Sequence, residues 1–529
     1  MTPIEHPRIE PSELRNRLAG SDEIALLDVR EEGQYGEGHP LLAVNLPYSR
    51  LELQITAVVP RRATPVILID ACDGVAERAA RRLRLLGYTD VQILAGGAAG
   101  WERAGYHLFE GQNVPSRALS EVVEHAFHTP CVTPEELNGL LAARADLVLL
   151  DCRTEEEFDR FHVPSAISCP GAELVWRFKD LVPSPGSLVV ISCAGRTRGI
   201  LGAQSLINAG VPNRVVHLKG GTQGWVLAGL PLAAGGAEIA VTVSTDAAET
   251  ARERARRVAT RFGVSMIDHA TLTAWHRDPA RTTYLFDVRG PDEYAAGHLP
   301  GAISAPGVQL VQRLDRWVGT RNARVVVVDQ GLVRAIMTAH WLKQMGWRVS
   351  VLDSPVGPGL PEMDAPRLPD AREIDAREAA AWLAQSAAAI SVDLSVDYRH
   401  SHAEGAIWVS RARLDRMPSD ILHASKIVVF SEDGQLARLV AQDLAEISKA
   451  EVAVVRGGLS AWRDSGLPLA SSPGDPPDGE RIDNLFWNQD RTNGNLAHSR
   501  AYLAWEEDLP RQIEVDGASG FRLMPEAAA

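Results

Sequence analysis

Cysteine is scarce in this 529-residue chain: there are five, Cys72, Cys131, Cys152, Cys169 and Cys193, and none beyond residue 193. No two stand in a Cys-x-x-Cys spacing, which excludes the paired-thiol zinc and redox motifs. Such sparse, unpaired usage fits a reducing cytosol better than a disulfide-stapled secreted fold. Long hydrophobic runs are missing too. Stretches such as VILI and VVVV fall far short of the roughly 20 apolar residues that cross a bilayer. The opening MTPIEHPRIEPSEL is polar and carries acids, unlike a signal peptide. Positive charge is in deficit, with 54 Lys and Arg against 68 Asp and Glu and a formal charge of −14. That balance argues against nucleic-acid or anionic-membrane partners, while leaving room for a local cationic pocket. The chain is 45% hydrophobic and 23% charged. It reads as a soluble, cytoplasmic protein of three to five domains, at roughly 100–200 residues each.

An internal repeat organises it. An apolar run ending in Asp occurs four times, in ALLDVREEGQY, LVLLDCRTEEEF, YLFDVRGPDEY and ISVDLSVDY, placing Asp28, Asp151, Asp287 and Asp393. A second apolar run follows each, ending at Asp70, Cys193, Asp329 and Ser431, at offsets of 42, 42, 42 and 38 residues. A Gly lies 17 residues further on in three copies, at Gly87, Gly210 and Gly346, and three copies close with GGAAGW, GGTQGW or GGLSAW. Apolar strands alternating with helices predict a parallel sheet covered on both faces, with right-handed crossovers. The fold class is α/β: four tandem domains, each a small parallel sheet flanked by helices, plus a non-repeat C-terminal tail. The expected boundaries are 1–115, 125–235, 246–365 and 370–470, with 471–529 as the extension. Linkers are expected near GQNVPS, AGGAEIA and LDSPVGPGLPEMDAPRLP. The segment DAAETARERARRVATRF predicts a charged amphipathic helix with a solvated face. The tail aromatics in NLFWNQD and AYLAWEEDLP are expected to pack on a neighbouring domain.

The order DxR, E-F/Y, GH-x-x-GA, strand-Cys-loop-helix and GG-x-x-x-W resembles the rhodanese sulfurtransferase family over most of residues 10–470. Its most specific element is LVVISCAGRTRGI, where the family carries Cys-x-x-x-x-Arg; here these are Cys193 and Arg198. The resemblance implies a thiosulfate-like sulfur donor, a cysteine persulfide and a thiophilic acceptor such as cyanide or a thiol, with no metal or organic cofactor. The chemistry of the residues agrees. A short loop between a buried strand and a helix N-terminus turns its N–H groups inward and makes an anion cradle. A thiolate there, beside Arg196 or Arg198, is stabilised and becomes a nucleophile. Cys193 is therefore the expected catalytic residue. Ala194, Gly195, Arg196, Thr197, Arg198 and Gly199 are the expected substrate-binding loop, with both glycines supplying unusual backbone angles. Arg177, in ELVWRFKDL, is the candidate for a pocket wall, and a surface salt bridge is its competing reading.

Asp70, Asp329 and Ser431 cannot form a persulfide, so the first, third and fourth domains are expected to be inactive. Cys72, two residues past Asp70, is a weaker second candidate with Arg78 as its cation. Cys169 is a candidate relay thiol, and Cys152 reads as a core residue. A non-enzymatic scaffold with a vestigial loop is the alternative from a different class. A phosphatase is disfavoured, because four residues between Cys193 and Arg198 make a short cradle for phosphate.

Overall fold

The computed structural model describes residues 6–236, 242–363, 365–489, 491 and 494–524. They form two compact units, one holding the first and fourth repeats, the other the second and third repeats with the C-terminal tail helix.

Each repeat contributes five strands to its sheet, and the four sets share one order. In the second repeat the strands run Cys131–Val132, Val215–Leu218, Leu188–Ser192, Leu147–Asp151 and Ile167–Ser168 across the sheet, all parallel. The third repeat repeats this with Ser265–Ile267, Arg348–Leu352, Arg324–Val328, Thr283–Asp287 and Ile303–Ser304. The central strands are buried on both faces, which is why they read as unbroken apolar runs rather than as alternating ones. The two-residue strands at either edge carry no periodicity and escaped the sequence reading.

Two sequence features have a direct structural cause. The Asp-x-Arg of the first three repeats is a buried brace: Arg153 donates to both carboxylate oxygens of Asp151, at 2.9 and 2.8 Å, and to the Phe161 carbonyl. Arg30 with Asp28 and Arg289 with Asp287 do the same. The Gly-Gly pair lets a short helix press on the loop that ends the central strand. A Cβ on Gly221 would lie 2.3 Å from the Cys193 carbonyl oxygen, on Gly97 2.3 Å from that of Asp70, and on Gly458 2.1 Å from that of Ser431.

The helix Thr245–Phe262 forms as expected, capped by Ser244, whose hydroxyl accepts from the Ala247 N–H. It is not wholly solvated: Arg254 is buried over the Phe178 ring, so one Arg of the run serves packing. The GQNVPS stretch turns directly into a helix, Val114–Phe127, and the expected AGGAEIA linker lies beyond Gly236 outside the described residues. In the unit of the first and fourth repeats, Arg411 is buried between Glu52, at 2.6 Å, and Asp443, at 2.8 Å. Among the described residues no helix is long and apolar enough to cross a membrane.

Candidate active site

Cys193 follows the central strand Leu188–Ser192, and the helix Thr197–Asn208 begins four residues later. This places it at the carboxyl end of a parallel sheet, where open α/β folds bind ligands. The loop is pinned from behind, with Thr222 N–H donating to the Cys193 carbonyl at 2.8 Å and Gln223 N–H to that of Ala194 at 3.1 Å. Cys193 is 2% exposed.

Its thiol is held below the ordinary cysteine range. A hydrogen bond from Cys152 contributes most, burial opposes it, and the Arg198 guanidinium and the Gly199 N–H add to the stabilisation. Arg198 is fixed by a two-pronged contact to Glu157, at 2.6 and 2.8 Å. Burial works to raise the Glu157 carboxyl, but the charge and hydrogen bonds of Arg198, with the Arg153 charge and the Thr154 N–H, together outweigh it and hold the group down at about 2. Glu157 also caps its own helix with Thr154, so the cation beside the sulfur is anchored to a capping box.

The structure separates residues that the sequence grouped. Arg196 turns away from the sulfur. It donates to Glu121 at 2.7 and 2.8 Å and to Glu507 at 3.1 Å, and it also contacts Glu124. Three carboxylates, those of Glu121, Glu124 and Glu507, hold the guanidinium on that side. Burial pushes the Glu121 carboxyl up, to about 8, with Arg196 pulling the other way. Arg177 pairs with Glu173 at 3.0 Å, the salt-bridge reading. Neither Gly195 nor Gly199 has the left-handed backbone that would require glycine; a side chain at Gly195 would crowd the tail helix, and one at Gly199 would make only ordinary contact. A Cβ on Gly199 would stand 3.4 Å from Cys193 Sγ, and one on Gly195 would stand 3.0 Å from Glu506 Oε2 and 3.1 Å from the Tyr502 ring.

Glu506 and Tyr502 belong to the tail helix, Leu496–Asp516, which sequence reasoning left without a role. Glu506 is 1% exposed. Its Oε1 accepts from Thr197 Oγ1 at 3.0 Å, Arg117 Nη1 at 2.9 Å and the Tyr502 hydroxyl at 2.8 Å. Arg117 in turn lies over the Tyr502 and Trp505 rings. The tail aromatics do pack on a domain, and the surface they cover is the loop that carries Cys193. The signal was present as an isolated helical pattern with a buried-type Glu, but nothing local says what such a helix covers.

Cys72 is exposed, and burial together with the Asp70 carboxylate raises its thiol. Cys169 is fully buried, and burial raises it as well. Cys131 is exposed. Glu124, Cys131 and His217 bring metal-ligand types within 4.8 Å of one another. His217 Nε2 is bonded to Glu124 at 2.7 Å and Glu124 also meets Arg196, so the carboxylate of the trio already has its partners. Beside the loop, between the second and third repeats, lies a small cleft bordered by Thr197, Arg198, Gly202, Val308 and Trp341.

A family model described as Rhodanese-like domain matches residues 10–104, 133–228, 270–354 and 369–465. A crystal structure of thiosulfate sulfurtransferase from Pseudomonas aeruginosa is 43% identical, covering 98% of this chain and 100% of that one, with a TM-score of 0.93. A curated sulfurtransferase from Allochromatium vinosum is 31% identical over 103 residues, 20% of this chain and 94% of the relative. With four matches spread over well more than half of its length, this chain belongs to the rhodanese-like sulfurtransferase family.

Proposed function

We propose that the protein is a sulfurtransferase of the thiosulfate type, working through a persulfide on Cys193. The observation that carries this reading is the depressed thiol at the strand-to-helix loop, in the one repeat of four that has sulfur at that position. The whole-chain likeness to a thiosulfate sulfurtransferase supports the choice of donor.

The Cys193 thiolate attacks the outer sulfur of thiosulfate. The new Sγ–S bond forms as the S–S bond of the donor breaks, and sulfite departs with the electron pair. The terminal sulfur of the persulfide carries a negative charge, which Arg198 and the Gly199 N–H are placed to offset. Cyanide or a thiolate then takes the terminal sulfur, returning the Cys193 thiolate. Splitting the transfer into two displacements on one nucleophile needs no metal or organic cofactor. Arg198 and Glu157 act as a fixed pair: the carboxylate orients the guanidinium, and the guanidinium serves the sulfur.

Pure protein supplied with thiosulfate and cyanide is expected to form thiocyanate catalytically, read as its ferric complex. No turnover by a chain whose Cys193 is titratable as a free thiol would overturn this reading in favour of a scaffold. The working place is the cytoplasm, inferred from the sparse, unpaired cysteines.

A further inference from the structure

A second thiol stands beside the nucleophile. Cys152 follows the strand Leu147–Asp151 and Cys193 follows Leu188–Ser192, and these strands pair in parallel with Asp151 opposite Ser192. The Cys152 N–H extends the ladder by one bond, to the Ser192 carbonyl at 2.9 Å. Cys152 and Cys193 are thus adjacent in register, at the roughly 4.8 Å spacing of neighbouring strands. That lies within the roughly 4.4–6.8 Å Cα separation a disulfide spans.

Both sulfurs rest on one face of the helix Thr197–Asn208. A Cβ on Gly199 would be 3.4 Å from Cys193 Sγ, and a Cβ on Gly202, one turn later, would be 3.7 Å from Cys152 Sγ. Cys152 is fully buried, its thiol 3.1 Å from the Ser192 carbonyl and within hydrogen-bonding reach of Cys193. The equivalent residues in the other repeats, each donating its N–H to the residue before the loop position, are Val29, Val288 and Val392. Packing at this position needs only an apolar side chain, and a thiol appears in the single repeat that also has the nucleophile. Cys169 ends the next strand over, and its charged neighbours are Glu173 and Arg177.

We infer that Cys152 is a resolving thiol: when no acceptor arrives, it attacks the inner sulfur of the Cys193 persulfide, closing a Cys152–Cys193 disulfide and expelling hydrosulfide. The inference rests on the persulfide reading above. The bond formed is Sγ–Sγ and the bond broken is that between Cys193 Sγ and the terminal sulfur. The terminal sulfur leaves with the bonding pair and takes up the proton that Cys152 gives up. Persulfide and thiol become disulfide and hydrosulfide, with no external oxidant. A small thiol reopens the bridge by exchange.

Burial raises the Cys152 thiol well above the ordinary cysteine range, so little of it is thiolate at neutral pH. The attack is accordingly slow beside transfer to a good external acceptor. It discharges sulfur from an enzyme left waiting and locks the nucleophile until thiols return.

The test uses the full chain, reduced, desalted and given thiosulfate without acceptor. The intact mass is expected to rise by about 32 Da and then to settle about 2 Da below its starting value. One hydrosulfide should be released per chain, with a peptide linking Cys152 to Cys193. Cys152→Val, which installs the residue of the first and third repeats, is expected to keep the added sulfur and release none. A wild-type adduct that persists without hydrosulfide, or one that ends as a persulfide on Cys152, overturns the inference and leaves the Cys193 persulfide standing. No adduct and no hydrosulfide would instead overturn the persulfide reading itself. If Cys152→Val does not fold, the linked peptide in the wild type decides the question alone.

Discussion

The loops of the second and third repeats share one unit, one sheet order and one ion pair, yet they differ in what fills the anion cradle. Arg198 with Glu157 has its counterpart in Arg334 with Glu293, at the same offsets from the loop residue. In the third repeat the loop residue is Asp329, whose carboxylate accepts the Arg334 N–H at 3.2 Å. The other two inactive loops do likewise. Asp70 accepts from the N–H groups of Cys72 and Ala76, and Ser431 from that of Ala437. These side chains occupy from within the donors that would otherwise meet a substrate anion. The backbone differs as well. Gly331 and Leu332 are both left-handed, Cys72 and Gly74 are in the first repeat, and no residue from Cys193 to Arg198 is. A loop with Asp or Ser at this position is therefore a satisfied structure in its own right, with its own backbone as well as its own side chain.

The comparison is broken most severely by Cys193→Ser. Thiocyanate formation is expected to vanish, while Cys72→Ser and Cys169→Ser retain most of it; turnover that survives in Cys193→Ser would sink the assignment. Arg198→Ala comes next. A charge-assisted hydrogen bond contributes roughly 1.5–3 kcal/mol, so a loss of about 10- to 150-fold in kcat/KM is expected. The pH at which iodoacetamide begins to alkylate Cys193 should rise in the same variant.

The equivalent change in the third repeat, Arg334→Ala, should act on stability rather than chemistry. It leaves Asp329 and Glu173 facing a buried site without their cation, which typically costs about 3–5 kcal/mol. A lowered denaturation midpoint with thiosulfate turnover intact is the expected pair of results. Glu506→Gln keeps hydrogen-bonding capacity but removes a negative charge that works to raise the Cys193 thiol. Its alkylation profile should move modestly to lower pH, and a move upward would contradict the electrostatic account. The smallest effect is expected from Asp329→Cys: no second sulfur adduct by intact mass, because the loop backbone differs. A second adduct would show that the side chain alone separates the two repeats.

The four-fold array was legible because buried parallel strands are apolar throughout and, in three repeats, their terminal Asp residues recur at a fixed spacing; in the fourth the strand ends at Ser391, so Asp393 is not the counterpart of the other three. Cys193 and Arg198 were legible because the loop joining strand to helix is local in sequence. The orientation of Arg196 was not, since Glu121, 75 residues away, decides it. Cys152 reads as a core residue and is one; its place beside Cys193 was not legible, because neighbouring strand ends meet only through register, across 41 residues of chain. The comparison with Val29 and Val288 held the signal. Unusual backbone angles are absent at both loop glycines, and only Gly195 is closely approached, by the tail helix that lies over 300 residues away in sequence.

The contact between Thr197 and Glu506 spans 309 residues. During synthesis the loop emerges long before the helix that covers it, because the third and fourth repeats must be made in between. At about 5–20 residues per second, the interval is roughly 15–60 s. For that time a nascent chain carries the Cys193 loop uncapped, with Thr197 and Arg117 lacking the carboxylate that later gathers them. Translation itself thus imposes an order in which the sheet and its thiol come first and the finished pocket comes last.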